Sequence, residues 1–358
     1  MCEYPSRHLI LKAEAHRSSD RQRTSAQVLL QCAAPLHSKH NTNMDLDLVA
    51  LTGLDEQTPA QVAKMYEEYN ADPEALKADA ATLREWVAMQ PHLPKLTEKE
   101  DQWLCRYILA CKNSLERAKK RIDYFFTVQS RWPEYFRAPS IEEGVAFAEY
   151  CHGGPLPVLM PDGTRLTFYR FTPALAAEPS NMNWMMFYML SLGYVQLQLT
   201  TDKQPLRIEV VFDVKNYVMG LNTSFVAHFN EFRRFIKCLQ VALPLHVRRV
   251  HLINAPSLAV TALDKMVRPF LQEKLNKRIV THDSMEALAK AIPHYCLPKE
   301  LGGSMDKTLK EITLTWAGVA EECEKWYDSR KWMRADLELK PDKDFNELDG
   351  TFRKLLVD

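Results

Sequence analysis

The second half of the chain alternates strand-like runs with segments of helical length, and this alternation constrains the fold more than any other feature. Residues 165–171 alternate in hydrophobicity, and residues 208–214 are rich in β-branched and aromatic side chains. Residues 250–254 and 278–281 supply two further short runs of this kind. The segments between them are long enough for helices that cross from one strand to the next. We therefore predict an α/β domain with a largely parallel sheet.

The segment before these strands has the pattern of a helical domain. Residues 59–136 carry apolar side chains at helical spacing. Thr58 precedes Pro59 in the order expected of an N-cap and a first helical residue. The predicted fold class is thus α/β, with three or four N-terminal helices at 59–136 and the α/β domain at 137–303.

The two ends of the chain lack such patterns. Residues 1–58 begin with a basic, serine-containing stretch without sustained periodicity, and we predict a disordered extension there, with a targeting peptide as the alternative. Residues 304–358 carry 13 acids, ten bases and three tryptophans, which favours a C-terminal helix followed by a tail.

Residues 179–201 form a run of 23 residues without a charged side chain, close to the length of a bilayer span. Four Asn and Gln side chains lie within the run, and no cluster of Lys or Arg flanks it, which argues against a membrane helix. We predict a buried helix, apolar enough to form the wall of a cavity.

Composition and motifs exclude several functional classes. The 46 Lys and Arg balance the 46 Asp and Glu, so we predict no nucleic-acid partner. The 11 glycines form no phosphate-binding loop, and no nucleotide cofactor is expected. The eight cysteines lack metal-binding spacing, and no signal-peptide pattern opens the chain, so we expect a cytoplasmic protein with free thiols and neither a metal nor another cofactor.

No arrangement of residues in the sequence indicates catalysis. Asp213 ends a strand-like run and His282 adjoins Asp283, but neither has a nucleophile or base in a recognisable catalytic motif. A capping role for Asp213 and a satisfied or surface role for His282 are the simpler interpretations. We predict that the protein is not an enzyme, with a hydrolase or kinase as the disfavoured alternative.

Residues 231–278 form a strongly basic segment with ten bases and three acids. Fixed positive charge of this kind suits an anionic membrane or a phosphorylated head group, and a solvated surface is the alternative. The predicted helix at 257–276 lies within this segment and contains Pro269, which weakens the hydrogen-bond ladder as a movable element would tolerate.

Several motifs resemble one known family. The motifs are HLINAP at 251–256, RPFL at 268–271, EKLNKRI at 273–279 and LPKELGG at 297–303. Together they resemble the CRAL-TRIO lipid-binding family, in the branch of alpha-tocopherol transfer protein and cellular retinaldehyde-binding protein. Residues 106–119 are similar to the family's N-terminal helical domain and residues 348–355 to a tail found in many tocopherol-transfer-like members, so the resemblance covers about 60–358.

The resemblance implies an intracellular carrier that holds one hydrophobic ligand, such as a tocopherol or retinoid, in a closed pocket between the sheet and a mobile gate helix. It implies transfer at phosphoinositide-containing membranes by a cytoplasmic, transiently membrane-associated protein, for which we expect a monomer. A scaffold protein with a vestigial pocket is the alternative. The gate segment between Ala255 and Pro269 is one residue longer than usual. The implied pocket residues are Phe187, Leu190, Ser191, Tyr194, Ile208, Phe212, Tyr217, Phe235, Leu239, Val247, Val250, Leu263, Met266 and Val267.

A second implied ligand is the head group of a phosphoinositide. Two positions depart from the family's pattern, because His246 replaces a lysine and Cys111 replaces an arginine. Lys112 and Arg249 are neighbouring cations that would compensate for these changes. The implied head-group residues are His246, Arg248, Lys274 and Arg278.

Overall fold

The structure, a computed structural model, describes residues 52–198 and 205–341, apart from the side chains of 195–198 and 320–322. Most of the predicted N-terminal extension and the end of the predicted tail, including the tail motif at 348–355, lie outside the described residues. No helix in the described part of the chain is both long and apolar enough to cross a membrane.

A five-stranded sheet forms the centre of the described chain. Its strands are β1 (Cys151–Leu159), β2 (Arg165–Phe171), β3 (Arg207–Asp213), β4 (His246–Ile253) and β5 (Ile279–His282). They pair in the order β1–β2–β3–β4–β5, antiparallel between β1 and β2 and parallel in the other three pairs. The predicted largely parallel sheet is confirmed, and β1 is an additional edge strand.

Among the described residues, five α-helices precede the sheet. They are α1 (Pro59–Tyr69), α2 (Pro73–Ala88), α3 (Asp101–Ala110), α4 (Leu115–Arg131) and α5 (Ile141–Tyr150). Thr58 caps α1 as predicted, because its hydroxyl accepts a hydrogen bond from the Gln61 N–H while the Gln61 side chain accepts one from the Thr58 N–H. The predicted helical segment is confirmed, and its aromatic core lies where α3 and α4 meet at Trp103 and Phe125, whose ring centroids are 5.4 Å apart.

The helices of the α/β region connect the parallel strands and continue beyond them. They are α6 (Pro173–Ala177), α7 (Met182–Gln198), α8 (Met219–Ala227), α9 (Phe229–Lys237), α10 (Ser257–Ala262), α11 (Glu273–Asn276), α12 (Met285–Ala289), α13 (Leu309–Glu322) and α14 (Glu324–Ser329). Because the parallel strands follow one another in chain order, right-handed crossovers place the connecting helices on one face of the sheet. The predicted uncharged helix is α7.

Phenylalanines at helical spacing predict one helix over 222–241, and the structure divides it. His228 leaves the helical region of backbone conformation at φ −116° and ψ 35°, and its ring nitrogen Nδ1 lies 3.0 Å from the Ser224 carbonyl. This local contact competes with the backbone ladder and separates α8 from α9. A π-helical turn at Cys238–Ala242 then continues α9.

Residues 52–58 are folded, in contrast to the predicted extension that ends at residue 58. The Asp55 N–H donates to the Pro157 carbonyl at 2.8 Å. The buried guanidinium of Arg165 donates to the carbonyls of Asp55 and Pro157 at 2.5 and 2.6 Å. A buried charge needs such acceptors, so this segment is tied to β1 and β2. Hydrogen bonds to backbone carbonyls have no sequence pattern, so the hydrophobic periodicity of the sequence does not predict that residues 52–58 are bound to the sheet.

Candidate functional site

The two faces of β3 and β4 differ in polarity and in burial. Glu209 and His251 lie on one face and are 4% and 0% exposed. Val210, Phe212 and Val250 lie on the other face and remain partly accessible. This burial is the reverse of the usual one, because apolar side chains are normally the most deeply buried in a sheet that helices cover. Accessible apolar side chains beneath a layer of helices are what an unfilled apolar space next to the sheet would leave.

The apolar face is the one covered by the crossover helices. Phe212 stacks on Tyr169 of the neighbouring strand, with ring centroids 5.7 Å apart. Tyr169 contacts Phe147, which in turn stacks on Tyr188 of α7 at 4.5 Å. These ring contacts connect the apolar face of β3 to α7 through β2 and α5.

The predicted pocket residues divide into two groups by burial. Leu190, Ser191, Tyr194, Ile208 and Leu263 are fully buried. The others remain partly accessible, although all but Tyr217, which lies in the loop after β3, are on strands or helical turns: Phe187, Phe212, Tyr217, Phe235, Leu239, Val247, Val250, Met266 and Val267. The second group combines the apolar sheet face with α9, its π-helical turn and the gate segment.

Ser191 and Tyr194 are fixed by contacts between helices. The Tyr194 hydroxyl donates to the Gln129 side chain at 3.2 Å, and its ring centroid lies 5.4 Å from that of Tyr327. The Tyr327 hydroxyl donates to the Ser191 carbonyl at 2.8 Å. These contacts join α7 to α4 and α14, and packing between helices accounts for the burial of both residues.

The predicted gate helix at 257–276 is not one regular helix. α10 passes into a π-helical turn at Leu263–Val267 and then into a 3₁₀ turn at Arg268–Phe270. Pro269 has no N–H to donate back to the π-helical turn, which explains why that turn does not continue past Val267.

The far end of the gate segment contacts α9 and the π-helical turn that follows it, besides the bonds of Arg268 to Asp264 and Asn276. The Phe270 ring meets Phe229 of α9 edge-on at 4.9 Å. The Gln240 side chain donates to the Phe270 carbonyl at 3.3 Å and accepts from the Gln272 N–H at 2.8 Å. These contacts connect the gate segment to α9 and its π-helical turn.

Three of the four predicted head-group residues come together at one end of β4. His246 lies between Tyr69 and Arg278, with its Nδ1 2.6 Å from the Tyr69 hydroxyl and its Nε2 3.1 Å from the Arg278 guanidinium. Burial, followed by the charges of Arg278, Lys274 and Lys112, lowers the pKa of His246 to about 4. The ring is therefore neutral at pH 7. Because Arg278 can only donate, Nε2 is the acceptor and Nδ1–H donates to Tyr69.

Lys274 is the exposed cation of this cluster. Burial and then the charges of Arg278, Lys112 and Arg117 lower the pKa of Lys274. Within the described residues, neither Lys274, Lys112 nor Arg117 forms an ion pair with an acid. Cations that repel one another without a bound acid are the arrangement expected of an anion site. We call His246, Lys274, Arg278, Lys112 and Arg117 the basic cluster.

The remaining predicted cations are placed differently. Arg248 pairs with Asp162, so its charge is already compensated. Arg249 lies near His282, whose pKa its charge helps to lower after burial and His251. Of the two neighbouring cations named above, Lys112 is the one whose charge acts on His246.

The helical domain supplies three residues to this end of β4: Tyr69, Lys112 and Arg117. The Asn113 amide donates to the carbonyls of Tyr69 and Asn70 at 2.9 Å each, which ties the end of α1 to the turn that carries Lys112. Tyr69 and Arg117 were not predicted, because they reach the site only through packing between domains. The positions of Tyr69 and Arg117 in the sequence do not indicate that they lie near His246.

Asp213 and His282 have structural partners. Asp213 accepts hydrogen bonds from Arg170 at 2.9 Å, from the Asn254 amide at 3.0 Å and from the Lys215 N–H at 3.3 Å. The last bond is a turn of the kind expected of a capping aspartate. His282 lies 2.8 Å from Nδ1 of His251, so it belongs to a buried polar chain that ends at Glu209.

Two parts of the chain match known protein families. Residues 163–303 match the CRAL/TRIO domain, and residues 72–143 match the Pinta-like, UBA domain. The chain is 29% identical over 266 residues to the alpha-tocopherol transfer protein-like protein of Homo sapiens, covering 72% of this chain and 73% of that protein. It is 24% identical over 257 residues to Clavesin-2 of Mus musculus, covering 69% and 75%. Among solved structures it aligns with Sfh5 at a TM-score of 0.47 and 13% identity, covering 76% and 100%.

Proposed function

We propose that this protein, which carries a CRAL/TRIO domain and is similar to alpha-tocopherol transfer protein-like proteins, is a carrier that holds one hydrophobic ligand and transfers it at phosphoinositide-containing membranes. The domain match confirms the resemblance found in the sequence, and lipid binding and transport are the functions that this family indicates. The closed pocket, its ligand and the membrane partner are the parts that we add.

The single observation that supports the pocket is the inverted burial of β3 and β4. Glu209 and His251 are buried on one face, whereas apolar Val210, Phe212 and Val250 keep accessible surface on the other, under a layer of helices. Protein interiors otherwise fill such space to crystal-like density. An apolar ligand would fill it and complete the core.

The energy of burial explains why such a protein would act as a carrier. A lipid that buries ~400 Å² of apolar surface gains about 10 kcal/mol at ~25 cal/mol per Å². Release into water would lose all of this energy, whereas release into a bilayer would not. The carrier therefore has to open at a membrane.

The gate segment has the properties that opening requires. Three kinds of helical turn follow one another between Ser257 and Phe270, so its backbone ladder is irregular over the length of the gate. Met266 and Val267 are partly accessible within it. Segments with an irregular ladder open at a lower free-energy cost than regular helices. Movement of this segment would uncover the apolar face of the sheet.

The basic cluster supports docking at an anionic membrane surface. It combines Lys274 and Arg278 with cations of the helical domain that no acid neutralises in the described part of the chain. Each cation near an anionic surface contributes ~1 kcal/mol. A few such contacts suffice for transient association and are too weak for permanent anchoring.

Changing both Lys274 and Arg278 to Ala is expected to weaken binding to vesicles that contain phosphatidylinositol bisphosphate. Loss of two contacts of ~1 kcal/mol each corresponds to roughly 30-fold in affinity. The difference in affinity between the parent and this variant should become smaller at higher salt concentration, because salt screens exposed charges. Vesicle sedimentation at two salt concentrations measures both effects.

Lys277→Ala is the matched control for this experiment. Lys277 lies just beyond α11, and its ammonium is already paired with Glu273 at 2.7 Å. Its loss is expected to change binding little. If the parent protein binds vesicles with and without the phosphoinositide equally well, head-group recognition is refuted.

A further inference from the structure

His246 faces charged and titratable groups from every element packed around it. α1 supplies Tyr69 and Glu68, the turn after α3 supplies Lys112, β3 supplies Arg207, β4 supplies Arg248, and the region of α11 supplies Lys274 and Arg278. The acids near this group are already engaged, because Glu68 pairs with Arg207 and Asp162 pairs with Arg248. The ring is therefore surrounded by a net excess of positive charge.

The neutral ring has a specific hydrogen-bonding role in the protein without ligand. Its Nε2 accepts from one terminal nitrogen of Arg278 at 3.1 Å, while the other terminal nitrogen donates to the Val247 carbonyl and keeps the guanidinium beside the ring. A proton on Nε2 would remove that acceptor, because an imidazolium and a guanidinium are both donors only. Both groups would then be free to donate to the same anion. Nδ1 would keep its bond to the Tyr69 hydroxyl, 2.6 Å away.

We propose that the basic cluster binds phosphomonoester groups together with a proton on His246 Nε2, so that binding tightens as the pH falls. This inference rests on the proposed head-group recognition and adds its regulation. A lysine at this position would carry its charge at every physiological pH, whereas a histidine is charged only when a proton binds to its ring.

The direction of the pH effect follows from the charges. Without an anion, burial and the neighbouring cations hold the pKa of His246 at about 4. Phosphate charge within a few ångströms raises such a pKa by about one to three units. The complex then holds a proton that the free protein lacks, so affinity rises as the pH falls through the raised pKa. With a shift of about two units, binding is about four-fold tighter at pH 5.5 than at pH 7.

The test compares the full-length parent with His246→Lys, whose charge is fixed, and His246→Gln, which cannot be charged. Titration calorimetry measures the affinity of inositol trisphosphate at pH 7 and pH 5.5. The phosphates themselves titrate near pH 6, but this affects all three proteins alike. We expect the parent to gain about four-fold over both variants on acidification, and His246→Lys to bind more tightly than the parent at pH 7.

Two further measurements make the outcome decisive. Histidine-selective NMR of the parent at pH 5.5 should show one imidazole becoming protonated when inositol trisphosphate is added, which does not depend on how the variants fold. Vesicles containing phosphatidylinositol bisphosphate should show the same pH dependence as inositol trisphosphate. If the affinity for vesicles depends on pH and the affinity for inositol trisphosphate does not, the proposal of a proton on His246 is refuted.

The result that would overturn the inference is a parent protein whose pH profile equals that of His246→Gln. If that parent still prefers phosphoinositide vesicles to neutral ones, the proposed function stands and only the proton linkage fails. If the parent binds neither inositol trisphosphate nor the vesicles, head-group recognition itself fails.

Discussion

Val210→Trp is expected to give a folded protein that retains no lipid. Val210 lies on the apolar face of β3 and keeps accessible surface beneath the crossover helices. An indole at this position would occupy the space that we assign to the ligand, with little displacement of protein atoms. Lipid extraction should therefore find none, while the free energy of unfolding in urea stays close to that of the parent stripped of lipid.

The matched control is the next residue, Val211→Trp. Val211 is 0% exposed on the sealed face of the same strand, so an indole there has no space. Adding one or two methylene groups to a well-packed core already costs about 1–3 kcal/mol. An indole is much larger, so we expect the free energy of unfolding of this variant to fall by at least about 3 kcal/mol, or the protein not to fold. Equal destabilisation by both substitutions would mean that the two faces are filled alike and that the cavity does not exist.

His251→Leu is expected to destabilise the protein by about 3–5 kcal/mol, because it leaves a buried carboxylate without its partner. Glu209 is 4% exposed, and its Oε2 lies 3.0 Å from Nε2 of His251. Leucine approximates the volume of the ring, so the loss reports the contacts of His251 with Glu209 and His282 rather than a void. Urea denaturation of lipid-free protein measures the free energy of unfolding.

A second substitution separates charge from packing in this experiment. Changing Glu209 and His251 together to Leu removes both partners, and replacing a buried pair by apolar groups is often close to neutral. We therefore expect the double variant to be more stable than His251→Leu alone. A double variant less stable than the single one would show that the pair is held for reasons other than mutual compensation of charge.

Much of the fold could be predicted because its signals are local. β2 to β5 are apolar runs with turns around them, and the caps of the early helices use side chains that the sequence displays. β1 was missed because its sequence, with Gly153, Gly154 and two prolines, is untypical of a strand. As an edge strand it tolerates proline, which a central strand would not. The division of the helices near His228 and Pro269 depends on local backbone contacts that helical spacing does not report.

The candidate site was predictable only in part, for a physical reason. His246, Lys274 and Arg278 belong to motifs that are close in sequence, and the structure brings them together. Tyr69 and Arg117 approach from the helical domain through tertiary packing. The inverted burial of the sheet was not predictable either, because an apolar face has the same sequence pattern whether protein or ligand covers it.

The most direct test of the carrier function is the lipid content of the purified protein. Native mass spectrometry of the parent chain from cells, with extraction and identification of whatever it holds, should find one hydrophobic molecule per chain, and none in Val210→Trp. A parent protein that carries no stoichiometric lipid, and that takes up neither tocopherol, retinoid, sterol nor phospholipid when offered them, would contradict the proposed function.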